Sequence, residues 1–322
     1  MTSLIPPGPH GGDASLLATA LGVPVREILD LSASLNPLAP DPKPILARHL
    51  DAIVRYPDDQ RATAALAEVI GIDAERLVLT NGGAEAIALV AAEYPVGSVD
   101  SFEFSLYARH LTEVDETMQA PRWVSDPHNP TGRLADSDDQ AQVRDEAFYS
   151  LATGQWTRGD AETTVVGSLT KALACPGLRV GYVLCPDDRS AAAIAKRRPQ
   201  WSLNGFAAAA LPDLLDGADP SAWREGISEL RGELSELLRA HDLHPDDSSA
   251  NYVWVPHAPG LRDDLLFYGI LLRDGASFGH PDAVRIAVPD ALGLQRLSDT
   301  LDQHSRASSW QPSARRPLTP HL

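Results

Sequence analysis

Lysine is scarce in this 322-residue chain. Lysine and arginine together number 27, and only Lys43, Lys171 and Lys196 are lysines. Arginine stays protonated and cannot condense with a carbonyl, whereas a lysine amine can. A lysine kept in such a sequence is therefore a candidate for chemistry that arginine cannot copy. Lys171 has the most suggestive surroundings, in the string Ser168-Leu-Thr170-Lys171, with Arg179 following across a Pro-Gly turn. Two hydroxyls and a guanidinium can hold a phosphate dianion, and a lysine among them can reach an aldehyde on the same ligand. Taken alone, the string also fits a surface turn with a solvated lysine. Further groups of the required kind lie elsewhere: the glycine turn Thr80-Asn-Gly82-Gly83-Ala84, the segment Asp126-Pro-His-Asn129, and the acidic pair Asp145-Glu146.

The elements around these residues read as an α/β layer on a mostly parallel sheet. Leu77–Leu79 is a buried strand that runs through the glycine turn into a helix beginning at Ala84. Thr163–Val166 and Leu178–Leu184 are further apolar strands, and Ala62–Ile70 is helical. Upstream, an extended Pro- and Gly-rich arm over residues 1–12 precedes a helix from Asp13, the expected N-cap, to Leu21, with Gly22 as its stop. Ile28–Leu31 is a short strand. The last third reads as a smaller α+β unit, with a long amphipathic helix over Ala222–His241, strands at Tyr252–Val255 and Val284–Val288, and a helix over Leu261–Tyr268. The expected organisation is an arm and helix over 1–30, a large domain over 31–215, a small domain over 216–304, and a Ser-, Pro- and Arg-rich disordered tail over 305–322.

Together these strings resemble the fold-type-I pyridoxal-phosphate (PLP) enzymes, in the branch that holds histidinol-phosphate aminotransferase and threonine-phosphate decarboxylase. The resemblance runs from His10 to about Leu301. It implies that Lys171 carries PLP as a Schiff base, with Ser168, Thr170, Arg179, Gly82, Gly83 and Ala84 around the cofactor phosphate. It implies that Phe104 lies on the pyridine face, that Asn129 bonds the 3-hydroxyl, and that Asp145 pairs with the pyridine nitrogen. Phe148 stands where some relatives have tyrosine. Arg55-Tyr56-Pro-Asp resembles a segment whose tyrosine reaches the cofactor of a neighbouring subunit, which implies a homodimer with shared sites. His10-Gly-Gly, Asn36, Arg273 and Arg285 resemble the groups that receive the substrate's anions, and Trp201-Ser-Leu-Asn204 is similar to a segment of threonine-phosphate decarboxylases.

Two intervals are short for such a fold. Asp145 follows Asn129 by sixteen positions, and Asn129 follows Phe104 by twenty-five. Parallel crossovers need about a dozen residues or more, usually a helix, plus the next strand. The stretch Ser137-Asp-Asp-Gln-Ala-Gln-Val-Arg144 is also polar for a central strand. The expectation is a large domain with one or two elements trimmed, and local geometry at Asp145 that departs from its relatives.

The formal net charge of -17 argues against nucleic acid or an anionic membrane as a partner. The N-terminus lacks a signal-peptide pattern, and Cys175 and Cys185 give neither a metal spacing nor a disulfide framework, so a cytoplasmic protein without a metal is expected. The reading expects decarboxylation of O-phospho-L-threonine, a step toward the aminopropanol arm of cobalamin. Its alternatives are aminotransfer, as on histidinol phosphate, and a PLP-binding protein with little catalysis.

Overall fold

The computed structural model describes residues 3–308, apart from Pro9, Glu116, Met118 and Asp160. Its strands, in chain order, are β1 (Leu29–Leu31), β2 (Leu77–Thr80), β3 (Val96–Val99), β4 (Glu113–Val114), β5 (Arg122–Ser125) and β6 (Val143–Asp145). They continue with β7 (Thr164–Ser168), β8 (Gly181–Leu184), β9 (Tyr252–Val255), β10 (Ile270–Asp274) and β11 (Val284–Ala287). Seven of them form one sheet in the order β2-β8-β7-β6-β5-β3-β4, parallel except for β8, which runs antiparallel to both neighbours.

Both faces of this sheet are covered, so its strands are apolar on both sides. Val78, Val166 and Val183 face a cluster with Ile87 and Val90 of the helix Gly83–Glu93. Leu79, Val165 and Leu184 face the opposite way, toward Leu66 and Leu211 of the helices Gln60–Ile70 and Gly205–Asp216. A second sheet, ordered β1-β10-β11-β9, packs Leu31, Val253, Leu272 and Ile286 against the helices Pro220–Ala240 and Ala291–Ser308.

The shortened crossover has a clear physical form. A loop, with no helix, joins β5 to β6. Yet β6 is a central strand, paired in parallel with β5 and β7, despite the polar sequence before it. Its middle residue, Arg144, is only 1% exposed. Ion pairs to Asp126 at 3.4 Å and Asp139 at 3.3 Å accompany that burial. Arg158 adds a second cation to Asp126 at 3.2 Å. The loop thus covers its face of the sheet with paired charges where a helix would use apolar side chains.

Three smaller expectations are corrected. Asp13 precedes the helix Ala14–Leu21 but makes no side-chain cap bond; the helix is closed at its other end by Gly22, at φ 71°. The strand expected from Leu178 begins only at Gly181, because Pro176–Leu178 is a 3₁₀ turn and Arg179 adopts a left-handed conformation at φ 56°. Ser305 to Ser308 continue the last helix, anchored by buried Leu294, Leu297 and Leu301. The rest of the expected tail lies outside the described residues.

Candidate active site

A cleft of roughly 900 Å³, counted to its open mouth, lies between the large sheet and β10–β11. Lys171 stands at its floor on the one-turn helix Leu169–Ala172, straight after β7. Its ammonium donates to the Ala33 carbonyl at 2.8 Å. Burial, followed by the positive charges of Arg285 and Arg179, lowers its pKa to about 8. The amine is therefore far closer to its nucleophilic form at neutral pH than a solvated lysine.

The glycine turn forms one wall. Gly82 has φ 78°, and a Cβ there would lie 2.7 Å from Arg179 Cζ; one on Gly83 would lie 3.2 Å from Ser168 Cβ. Only a residue without a side chain lets the start of the helix Gly83–Glu93 approach Arg179 and Ser168 so closely. That helix has no side-chain N-cap bond. Amides at a helix N-terminus, a hydroxyl and a guanidinium make a cradle for a phosphate. Ala84 and Thr170 also line it.

The opposite wall holds Phe104, Asn129 and Asp145. Asp145, at the carboxyl end of β6, accepts from the Tyr107 hydroxyl at 2.9 Å and from the Ala147 N–H at 3.0 Å. Burial raises its pKa to about 6. Asn129 Oδ1 accepts from Arg285 Nη1 at 2.5 Å. Above the floor, Arg273 and Arg285 occupy directly opposed positions on β10 and β11, 3% and 5% exposed. Arg273 donates to the Gly8 carbonyl at 3.0 Å and to Ser277 Oγ at 2.6 Å. Burial and then Arg285 push its pKa down to about 10. Two buried guanidiniums on facing strands form a strongly anion-seeking surface. The His10 ring, 5.4 Å from that of Phe104, closes this end, and burial, then Arg273, keep its pKa below the usual value.

One expected residue sits elsewhere. Asn36 is buried behind the Lys171 helix, where its amide donates to the Ala172 carbonyl at 2.9 Å and its oxygen accepts from the Leu38 N–H. It braces the loop, and Ser32 and Ala33 reach the cleft in its place. Tyr56 is 78% exposed and packs on Trp201 with ring centroids 4.5 Å apart, outside this chain's cleft. Sequence reading missed Tyr107, Ser125 and Phe278 as lining residues. Tyr107 carried one usable signal, because it follows Phe104 by three positions and so shares a helical face with it.

The model of the family "Aminotransferase class I and II" matches residues 104–301. The chain belongs to that family. It is 28% identical to the threonine-phosphate decarboxylase of Salmonella typhimurium, across 89% of this chain and 94% of the relative. It is 27% identical to a histidinol-phosphate aminotransferase of Dinoroseobacter shibae, across 85% and 90%. The fold matches that of histidinol-phosphate aminotransferase from Sinorhizobium meliloti, solved with pyridoxal-5'-phosphate, at TM-score 0.77 and 17% identity, over 96% of this chain and 98% of that one.

The protein is accordingly a PLP-dependent enzyme, and the cleft fits that cofactor. The Gly82–Arg179–Ser168 cradle suits its phosphate, Lys171 its aldehyde, and Asp145 its ring nitrogen. Among the described residues no helix is long and apolar enough to cross a membrane, and no group of three or more His, Cys, Asp or Glu is placed to hold a metal.

The perturbed amine has a measurable consequence. Only a neutral amine condenses with an aldehyde, so if Lys171 takes the cofactor, the rate at which the apoprotein takes up PLP should rise with pH, pass its midpoint near 8 and level off above it. Stopped-flow absorbance between pH 6 and 10 reads this. A rise that continues toward the value of a free lysine, near 10.4, would contradict the burial of the amine.

Proposed function

We propose that the enzyme decarboxylates a short amino acid that carries a phosphate, O-phospho-L-threonine, to aminopropanol phosphate, as in cobalamin assembly. The observation that carries this reading is the opposed pair Arg273 and Arg285 at the mouth of the Lys171 cleft, with His10 beside it. Two guanidiniums on facing strands suit a substrate that bears a carboxylate and a phosphate only a few bonds apart. Histidinol phosphate has no carboxylate. The similarity to threonine-phosphate decarboxylase supports the same reading.

Bound PLP supplies an electron sink for whichever Cα bond stands perpendicular to its ring. The protein's share is orientation and protons. Asp145 would hold a proton at the ring nitrogen, and Phe104, in the same cleft, would pack against the cofactor. Arg273, Arg285 and His10 fix the two anions and so decide which bond is perpendicular. Lys171, whose pKa burial lowers to about 8, would be placed to return a proton to Cα. Aminotransfer uses the same groups with Cα–H perpendicular, and the similarity to histidinol-phosphate aminotransferases keeps it as the second reading.

The same reading makes the enzyme a homodimer with shared sites. Exposed Leu50, Ile53, Val54 and Tyr56 on one short segment, with Trp201 beside Tyr56, form an apolar surface suited to a second copy.

Losing a buried guanidinium that pairs with an anion costs about 2–5 kcal/mol. Arg285→Ala should therefore raise the concentration at which O-phospho-L-threonine perturbs the visible band by about 30-fold or more. The band itself should persist. An unchanged titration would remove Arg285 as an anchor, and a wild type that answers O-phospho-L-threonine no better than L-threonine would overturn the proposed substrate.

A further inference from the structure

Glu103 is a buried acid that the roles above leave without a task. It is 6% exposed and precedes the ring-flanking Phe104. Its Oε1 accepts from the Ser125 N–H at 2.9 Å, and its Oε2 lies 2.6 Å from Ser125 Oγ and 3.2 Å from the Phe104 N–H. Ser125 Oγ accepts from the Asn129 N–H at 2.7 Å, and Ser125 is the register partner of Asp145 on β5 and β6, which sets it beside the Tyr107 phenol. Tyr107 in turn donates to Asp145. One carboxyl group therefore connects, through Ser125, to the Asn129 loop and, through Ser125 and Tyr107, to Asp145.

We propose that Glu103 is a positioning residue that acts through Ser125, holding the Asn129 loop in place and heading a hydrogen-bonded line, Glu103–Ser125–Tyr107–Asp145, that ends at the carboxylate serving the ring nitrogen. The directions of the bonds follow from the environment. The ionisable groups that act on Glu103 and its line are Asp145 on β6, Tyr107 on the helix Leu106–His110 and Tyr252 on β9, with the Lys171 charge acting on Asp145, and Arg285 on β11 touches the line through Asn129. None is a cation in direct contact with Glu103 that would favour its charged form, and burial raises its pKa to about 8. A protonated Glu103 donates to Ser125 Oγ, which frees the Ser125 hydrogen for the Tyr107 oxygen, and Tyr107 donates to Asp145. Every donor then points toward Asp145 and stabilises it as a carboxylate. Loss of the line weakens that carboxylate and its hold on the ring-nitrogen proton. The retained ring positive charge is what lowers the pKa of the Lys171-linked nitrogen, so losing it raises the pH at which the visible band titrates.

This proposal rests on PLP occupying the cleft, and its test does not depend on the substrate. PLP-loaded wild type, Glu103→Ala, Glu103→Gln, Ser125→Ala and the double alanine variant are titrated from pH 5 to 10 while the visible band is followed. Expected are upward shifts of roughly half a pH unit or more in both alanine variants. The double variant should move no further than Ser125→Ala, because both act on one line. Glu103→Gln, whose amide can still donate to Ser125, should stay near wild type. Glu103→Ala with the wild-type midpoint, or single shifts that sum in the double variant, would overturn the proposal. If Glu103→Ala fails to fold, Ser125→Ala decides, and an unshifted midpoint there has the same consequence. Failure of the wild type to form a visible band at all would count against the cofactor site itself, a different result from any of these.

Discussion

Lys171→Ala should yield a folded protein with no visible band that survives borohydride treatment and dialysis, and turnover reduced by about 10³-fold or more. Two roles are lost in one substitution. In the proposed mechanism the amine forms the covalent link and also moves a proton at Cα. No other lysine can substitute. Among the three, Lys43 has an 87% exposed side chain, and Lys196 belongs to the helix Asp188–Arg197, away from the groups that line the cleft. PLP should still bind, because the cradle of Gly82, Arg179 and Ser168 is untouched. A variant that kept a borohydride-stable attachment would show that another nucleophile carries the cofactor.

Asp145→Asn should retain PLP and lose activity by an amount on the order of 10²–10³-fold, the usual consequence of removing one preorganised electrostatic partner. An amide cannot hold a proton on the ring nitrogen as a carboxylate does. The same substitution should stabilise the apoprotein, with a defined pH dependence. Burial raises Asp145 from 3.8 to about 6, so the folded chain holds a proton there that the unfolded chain has already released. The ionised group then costs stability, and that cost grows as pH climbs from about 4 to about 6 and is complete above it. Asp145→Asn should therefore raise the apoprotein Tm more at pH 7.5 than at pH 4.5. Equal changes at the two pH values would mean that Asp145 is solvated in the folded chain. A destabilised group at the reacting centre is the trade expected where function overrides stability.

The sequence made the strings legible because each is a short local device. The turn at Gly82-Gly83, the lysine after β7 and the aspartate ending β6 are set by neighbouring residues, and their chemistry follows from residue type. What stayed hidden depends on partners distant in sequence. Arg144 reads as a surface residue until Asp126 and Asp139 are known to meet it beneath β6. Asn36 reads as a cleft residue until the Ala172 carbonyl claims its amide. Glu103 and Ser125 join only because β5 places Ser125 beside a turn that begins after β3. The trimmed crossover was visible as a count of residues, and its consequence, a loop that shields the sheet with ion pairs, required the fold.

The reaction itself is tested most directly with O-phospho-L-threonine labelled at its carboxyl carbon, incubated with the PLP-loaded enzyme in the presence of 2-oxoglutarate. Release of labelled CO₂ with 2-oxoglutarate unconsumed is the predicted result. Glutamate formed from 2-oxoglutarate, with the label retained in a keto acid, would contradict decarboxylation and make the enzyme an aminotransferase.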